Sequence, residues 1–126
     1  MGAVGGFVEQ SPEISPLTDA ALRDLARQVG VGGTRLAITA VPSKYVVMTG
    51  DRTHADRQFA AHVARWATAN GVDFIDLRPT FDAYLATRRP TDPLPFFVSD
   101  IHPNETGHRL IADAIQRHFP DYFPGK

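Results

Sequence analysis

Hydrophobic side chains recur every three or four residues in four stretches of the chain, as they do along one face of an amphipathic helix. The last stretch places five apolar residues on one side: Leu110, Ile111, Ala114, Ile115 and Phe119. No element is predicted in residues 1–16, where Gly, Ser and Pro are frequent. The spacing predicts helices over about residues 18–29 and 56–70, a short helix after Pro79, and a last helix from near Asn104 to Pro120.

Three short apolar runs lie between these helices and are typical of strands, at residues 36–41, 72–77 and 96–98. The first two are predicted to be buried on both faces. Helices that alternate with strands favour a parallel sheet covered by helices, so the predicted fold class is α/β. Because three strands are fewer than the five or so of an open doubly wound sheet, the pattern indicates only part of such a sheet. Its unpaired edges predict self-association.

The composition is that of one soluble globular domain, with 126 residues, 43% hydrophobic residues and a formal net charge of -1. The balanced charge argues against a nucleic-acid partner. No apolar run is long enough to span a membrane. The sequence contains no Cys, which excludes disulfides and thiolate catalysis but leaves the cellular compartment open. We predict no cofactor and no metal, since Asp100, His102 and His108 alone make a poor ligand set.

Six aromatic residues recur at helical or strand spacing, which predicts that they belong to the core rather than to a ligand site. These residues are Phe59, Trp66, Phe81, Tyr84, Phe96 and Phe97. Three histidines, His54, His62 and His118, are predicted to lie on the surface or on helix faces.

Polar residues follow each predicted strand, which is where ligands bind in parallel α/β sheets. Lys44 follows the first strand, Asp76 the second, and the pair Asp100 and His102 the third. Lys44 and Asp76 are equally well explained as a solvated lysine and a helix-capping residue. An Asp close to a His can hold the imidazole in one tautomer and stabilise it after it takes a proton. The third group is therefore the candidate catalytic pair, and it needs a nucleophile.

The sequence SDIHPNETGHRLIA, at residues 99–112, resembles the C-terminal catalytic block of the SGNH (GDSL-type) hydrolases. Upstream, Val-Pro-Ser-Lys at residues 41–44 and VDFIDLRP at residues 72–79 are similar to the runs that precede this block in many members. The resemblance covers roughly residues 18–119. It implies a three-layer, flavodoxin-like α/β/α sandwich, of which residues 1–126 would form a single domain that lacks its N-terminal half. It also implies cleavage of small-molecule, saccharide or lipid esters by a Ser-His-Asp triad.

The resemblance assigns roles to four residues. His102 matches the general base that activates the serine, and Asp100 matches the acid that orients it. Asn104 and Gly107 match structural positions of the motif. Asn104 would cap the last helix, and Gly107 would let that helix approach the sheet closely. His108 is a frequent companion in the motif and receives no catalytic role.

Two features depart from the family pattern. Asp100 lies two residues before His102, where most members place the acid three residues before. The shorter spacing also occurs in the alginate-acetyltransferase-like branch, so O-acetyl transfer stays an alternative to acyl or acetyl ester hydrolysis. The family's Gly-Asp-Ser nucleophile block, its oxyanion-hole Gly and its Gly-x-Asn-Asp block are absent from the sequence, and residues 50–53 (Gly-Asp-Arg-Thr) have Arg where the serine belongs.

The chain has four serines, and none lies in a strand-turn-helix context that would expose a nucleophile: Ser11, Ser15, Ser43 and Ser99. The nucleophile is therefore expected outside this chain, and activity of the chain alone is doubtful. In an alternative interpretation, Asp100 and His102 have no catalytic role and only satisfy backbone groups of a loop. The chain would then be a non-catalytic or degenerate α/β module.

Overall fold

The computed structural model describes residues 14–50 and 55–123. The prediction for residues 1–16 lies outside this range except at its end, where Pro16 already belongs to the first helix. The elements of the described chain are α1 (Pro16–Val31), β1 (Ala37–Ala40), α2 (Lys44–Thr49), α3 (Ala55–Ala69), β2 (Asp73–Asp76), α4 (Arg78–Thr87), α5 (Glu105–His118) and a 3-10 turn (Pro120–Tyr122). The four predicted helices are confirmed as α1, α3, α4 and α5, and the mixed α/β class is confirmed in this coarse form.

The two strands β1 and β2 form a parallel two-stranded sheet. The backbone N–H of Asp73 donates to the carbonyl of Leu36 over 3.3 Å, and that of Leu77 donates to Ala40 over 3.0 Å. The residue numbers of the donor and of the acceptor increase together along the sheet, as they do in a parallel pair of strands. All four residues of β1 and three of the four residues of β2 are half-buried, so the prediction that both strands are buried on both faces is wrong; only Ile75 of β2 is buried. In a two-stranded sheet each strand is an edge.

The predicted third strand at residues 96–98 is wrong. Phe96 forms only an isolated antiparallel bridge with Pro103. The amide nitrogen of the Asn104 side chain donates to the carbonyls of Leu94 and Phe96, over 2.7 and 3.1 Å. These side-chain bonds, together with the proline at residue 95, occupy backbone positions that a neighbouring strand would need.

Helix α2 was not predicted from the sequence. Its N-cap is Ser43, whose hydroxyl accepts a hydrogen bond from the backbone N–H of Val46 over 3.2 Å. Gly50 ends it in the left-handed region, at φ 70°, a conformation that glycine adopts without strain. The helix has only six residues and contains two adjacent β-branched valines, so neither its periodicity nor its helix propensity reveals it.

The described chain divides into two compact units, residues 14–38 with 55–74 and residues 39–50 with 75–123. In the first unit, α3 buries Ala60, Val63, Trp66 and Ala67. The indole N–H of Trp66 donates to the carboxylate of Asp19 over 2.7 Å. The Arg23 guanidinium donates to the same carboxylate. Both hydrogen bonds lower the pKa of Asp19, and the bond from Arg23 has the larger effect. A charged residue of α1 is therefore hydrogen-bonded to the buried indole of α3.

The second unit has a core of six buried residues: Val47, Ile75, Leu77, Phe81, Phe96 and Ala114. The rings of Phe81 and Phe96 stack with their centroids 5.4 Å apart. Leu110, Ile111 and Phe119 pack against this core, so the apolar face predicted for the last helix is confirmed. The core thus holds the start of α5 next to the segment that carries the candidate pair.

Two of the six aromatic residues predicted for the core are exposed. Phe59 is 41% and Phe97 is 51% exposed. Successive side chains of an extended segment point to opposite sides, so the burial of Phe96 turns Phe97 outward. Tyr84 is half-buried and donates its hydroxyl to the carbonyl of Pro93 over 2.7 Å.

The histidines predicted for surface or helix-face positions agree with the structure where it describes them. His62 is half-buried on α3 and His118 is exposed at the end of α5, while His54 lies outside the described residues. The described helices include none with both the length and the apolar character that crossing a membrane requires.

Candidate active site

The candidate pair lies in a turn between Phe96 and α5. The turn is closed at its base by the backbone N–H of Phe97, which donates to the carbonyl of His102 over 3.1 Å. Next to it, the backbone N–H of Asn104 donates to the carbonyl of Pro95 over 3.2 Å. These bonds hold the two ends of the turn together, so residues 98–101 project from the body of the second unit.

The carboxylate of Asp100 binds His102 in two places. Its Oδ1 accepts the backbone N–H of His102 over 2.7 Å, and the same oxygen contacts Nδ1 of the ring. A carboxylate only accepts hydrogen bonds, so this contact requires the proton to be on Nδ1. The neutral ring then has its acceptor lone pair on Nε2. The His102 side chain is 73% exposed and that of Asp100 48%, which leaves the ring open to a reacting group.

The same contacts set the charge of Asp100. The backbone N–H of His102, and after it the ring, lower the pKa of the Asp100 carboxyl below its ordinary value of 3.8. A hydrogen bond to the charged form of an acid favours that form. Asp100 is therefore ionised at neutral pH, so the ring of His102 faces a full negative charge.

Asn104 performs the capping role that the sequence predicts. It is the N-cap of α5, and its Oδ1 accepts the backbone N–H of Gly107 over 3.0 Å. Its amide nitrogen donates to two carbonyls of residues 94–96. One side chain thus joins the start of α5 to the segment before the turn, a second task that the sequence did not indicate.

Gly107 is a site of close approach, but not to the sheet. A Cβ at this position would lie 2.2 Å from the carbonyl oxygen of Pro95 and 2.8 Å from Cβ of Pro103. The predicted need for glycine is confirmed, and the predicted neighbour is corrected. The N-terminal turn of α5 packs against the two ends of the turn that carries Asp100 and His102, so only glycine fits without movement.

Lys44, which the sequence left open as a solvated lysine, binds the turn. Its Nζ donates to the carbonyls of Phe97 over 2.7 Å, Val98 over 3.2 Å and Asp100 over 3.1 Å. The side chain is half-buried. The solvated interpretation is therefore wrong. Sequence reasoning missed this contact because the partners lie 53–56 residues further along the chain.

Asp76 has a local role at the start of α4. Its Oδ1 accepts the backbone N–H of Arg78 over 3.0 Å, which satisfies one of the open donors of the first helical turn. This bond agrees with the capping interpretation of Asp76, although the N-cap position itself is Leu77.

Two of the four serines have structural partners. The hydroxyl of Ser15 accepts the backbone N–H of Thr18 at the start of α1, and that of Ser43 accepts the N–H of Val46. Ser99 is exposed in the turn beside Asp100, and Ser11 lies outside the described residues. Of the residues 50–53 that echo the nucleophile block, only Gly50 is described, as the C-cap of α2. The location of the nucleophile stays a prediction.

Apolar side chains flank the pair on the same turn. Val98 is 91% exposed and Ile101 73% exposed. Among the residues that the structure describes, no three His, Cys, Asp or Glu side chains are grouped so that they could hold a metal ion. The turn therefore combines one oriented imidazole, one carboxylate and two exposed apolar side chains.

Comparison of the chain with protein-family models, with curated proteins and with solved structures finds no match in any of the three. The local chemistry of the turn is consequently the basis on which a function is assigned.

Proposed function

We propose that this chain is the C-terminal portion of an ester hydrolase of the SGNH (GDSL) type, with His102 as general base and Asp100 as the acid that orients it. One observation carries the proposal: the Asp100 carboxylate holds both the backbone N–H and Nδ1 of His102 and leaves Nε2 for a hydroxyl proton. The resemblance of residues 99–112 to the family's catalytic block supports the same roles. Asn104 caps α5 as its motif position suggests, and Gly107 is a site of close approach, although to the ends of the turn instead of the sheet.

The proposed reaction divides the work between His102 and a serine. Nε2 takes the proton of the serine hydroxyl as the oxygen attacks the ester carbonyl, and Asp100 stabilises the imidazolium. The proton then passes from Nε2 to the departing alcohol. A water molecule attacks the acyl-serine in the same way and releases the acid and the serine.

The serine and the oxyanion donors are proposed to come from a segment outside this chain, where the rest of a flavodoxin-like sheet would lie. Each oxyanion donor is commonly worth about 3 kcal/mol of transition-state stabilisation. The chain by itself should therefore cleave esters slowly, through the oriented imidazole acting on an activated ester.

The test is the hydrolysis of p-nitrophenyl acetate by the purified chain. We expect a rate above that of buffer, lost in His102→Ala and lowered in Asp100→Asn. His108→Ala is the matched control, because it removes another exposed imidazole of the same motif and should leave the rate unchanged. An equal rate in the wild-type chain and in His102→Ala would refute the proposal and leave the non-catalytic α/β module.

Labelling with a fluorophosphonate, followed by intact mass, locates the nucleophile. This reagent traps a serine only when a nearby base activates it. No adduct is expected on the chain alone. A single adduct that disappears in His102→Ala would keep the proposed base and show that the serine lies in this chain after all.

O-acetyl transfer is the second candidate, favoured by the spacing of Asp100 and His102. Their side chains are in contact at the two-position spacing that is typical of the alginate-acetyltransferase-like branch. Transfer and hydrolysis differ only in what attacks the acyl-serine, which is a saccharide hydroxyl in transfer and water in hydrolysis. Adding a saccharide acceptor to the esterase assay and weighing the products distinguishes the two.

A further inference from the structure

We infer that Lys44 is a positioning residue for the Asp100–His102 pair, an inference that rests on the function proposed above. The Lys44 ammonium donates to the carbonyls of residues 97, 98 and 100, over 2.7, 3.2 and 3.1 Å. An ammonium has three protons, so all of its donors are directed at this turn. One side chain therefore fixes three of the four carbonyls from Phe97 to Asp100.

The location of Lys44 in its own helix points to the same role. It is the first residue of α2, directly after the N-cap Ser43. The first turn of a helix carries open N–H groups, so a positive side chain there is electrostatically unfavourable and an acidic one is preferred. Lys44 thus gains nothing from its own helix, and its partners in the turn account for its half-buried position.

The contact that Lys44 supports is weak on its own. Asp100 and His102 are exposed, and an exposed pair in water gains little because solvent screens it and because two side chains lose their freedom. The pair keeps one geometry when the backbone of residues 97–100 is fixed, and the bonds donated by Phe97 and Asn104 fix only the ends of the turn. Lys44 supplies that constraint from the neighbouring α2, before any substrate binds, which is the requirement for an oriented base.

Nuclear magnetic resonance of the His102 ring nitrogens tests the inference without reference to activity. Lys44→Met keeps most of the hydrocarbon stem and removes the ammonium. The full 126-residue chain, labelled with ¹⁵N-histidine, should show the neutral His102 ring as the Nδ1–H tautomer. In Lys44→Met the ring should shift toward the Nε2–H tautomer that predominates in unconstrained histidine. The His102 signals are assigned by their loss in His102→Ala.

Activity gives the second measurement. The His102-dependent rate of p-nitrophenyl acetate hydrolysis should fall in Lys44→Met by about tenfold to a hundredfold, the range expected when a reacting group is misplaced by about 1 Å. Arg109→Met is the matched control. It removes a positive side chain of α5 that pairs with Glu105 over 2.9 Å, and neither the tautomer nor the rate should change.

A His102 ring with the same tautomer in Lys44→Met as in the wild-type chain overturns the inference, even if activity falls. The inference stands and the proposed function fails if the tautomer shifts while the wild-type rate does not depend on His102. Where circular dichroism shows that Lys44→Met does not fold, Lys44→Gln is measured instead. Its shorter, uncharged amide should shift the tautomer in the same direction, and a folded Lys44→Gln with an unchanged tautomer overturns the inference.

Discussion

Replacing Gly107 with alanine places a methyl group against backbone that has no room for it. The new Cβ would lie 2.2 Å from the Pro95 carbonyl oxygen, 3.3 Å from the Pro95 carbonyl carbon and 2.8 Å from Cβ of Pro103. None of these atoms is the end of a flexible side chain, so the start of α5 or the ends of the turn must move. Overpacking of this kind costs about 1–3 kcal/mol, and contact with a carbonyl at 2.2 Å puts Gly107→Ala at the upper end.

The helix propensity of alanine offsets part of that cost. Alanine is favoured over glycine inside a helix by about 1 kcal/mol, and Gly107 is the third residue of α5. The net expectation is a loss of about 2 kcal/mol in the free energy of unfolding, which for a chain of this size lowers Tm by roughly 5–10 °C. Far-UV circular dichroism during urea and thermal unfolding measures both quantities.

Gly30→Ala is the matched control with the opposite sign. Gly30 lies in α1, and a Cβ added there meets no atom within 4 Å. This substitution should stabilise the chain by about 0.4–1 kcal/mol, through helix propensity and the smaller entropy of the unfolded chain. The steric reasoning is refuted if Gly107→Ala melts at or above the wild-type temperature, or if the two substitutions have equal effects.

Substitutions at Asn104, His102 and Asp19 and one association measurement test the remaining contacts. Asn104→Ala should lower the free energy of unfolding by about 2 kcal/mol, because it removes an N-cap and two donors to carbonyls, and Asn104→Ser, which retains a cap acceptor and places no charge against those carbonyls, should lie between. In a carbon-13 pH titration the Asp100 carboxyl should titrate below 3.8, and part of that lowering should survive in His102→Ala, since the backbone N–H, its first cause, remains. The fluorescence of Trp66 should change as pH falls through a value below 3.8, when Asp19 is protonated, and this change should be absent in Asp19→Asn. The edges of the two-stranded sheet should promote self-association, visible in sedimentation.

Each of these expectations has a contrary result. A chain with Asn104→Ser as unstable as the alanine variant would mean that the cap contributes nothing. For both acids the sign follows from a pKa that is lower in the folded chain. The stabilising bonds are complete above pH 3.8 and are lost as the pH falls through the lower, folded value. A titration midpoint above 3.8 would contradict this reasoning, and a strictly monomeric chain would contradict the prediction of association.

The sequence by itself determined the elements that depend on nearby residues. Helices α1, α3, α4 and α5 follow from apolar spacing, since a helix joins residues only three or four positions apart. The cap Asn104 was predictable because it acts within the first turn of α5. The need for glycine at position 107 followed from the resemblance, whereas its close contact with Pro95 is visible only in the structure. The pairing of Asp100 with His102 was likewise predictable, since the partners are only two positions apart.

The tertiary structure decided what depends on contacts between distant parts of the chain. The apolar run at residues 96–98 is as suitable for a strand as the other two, yet Asn104 and Lys44 bind its carbonyls and those beside it. The role of Lys44 depends on carbonyls more than fifty residues away, and a backbone carbonyl has no signature in the side-chain pattern. The sequence therefore predicts the two groups of the candidate pair, whereas only packing identifies the lysine that holds their turn in place.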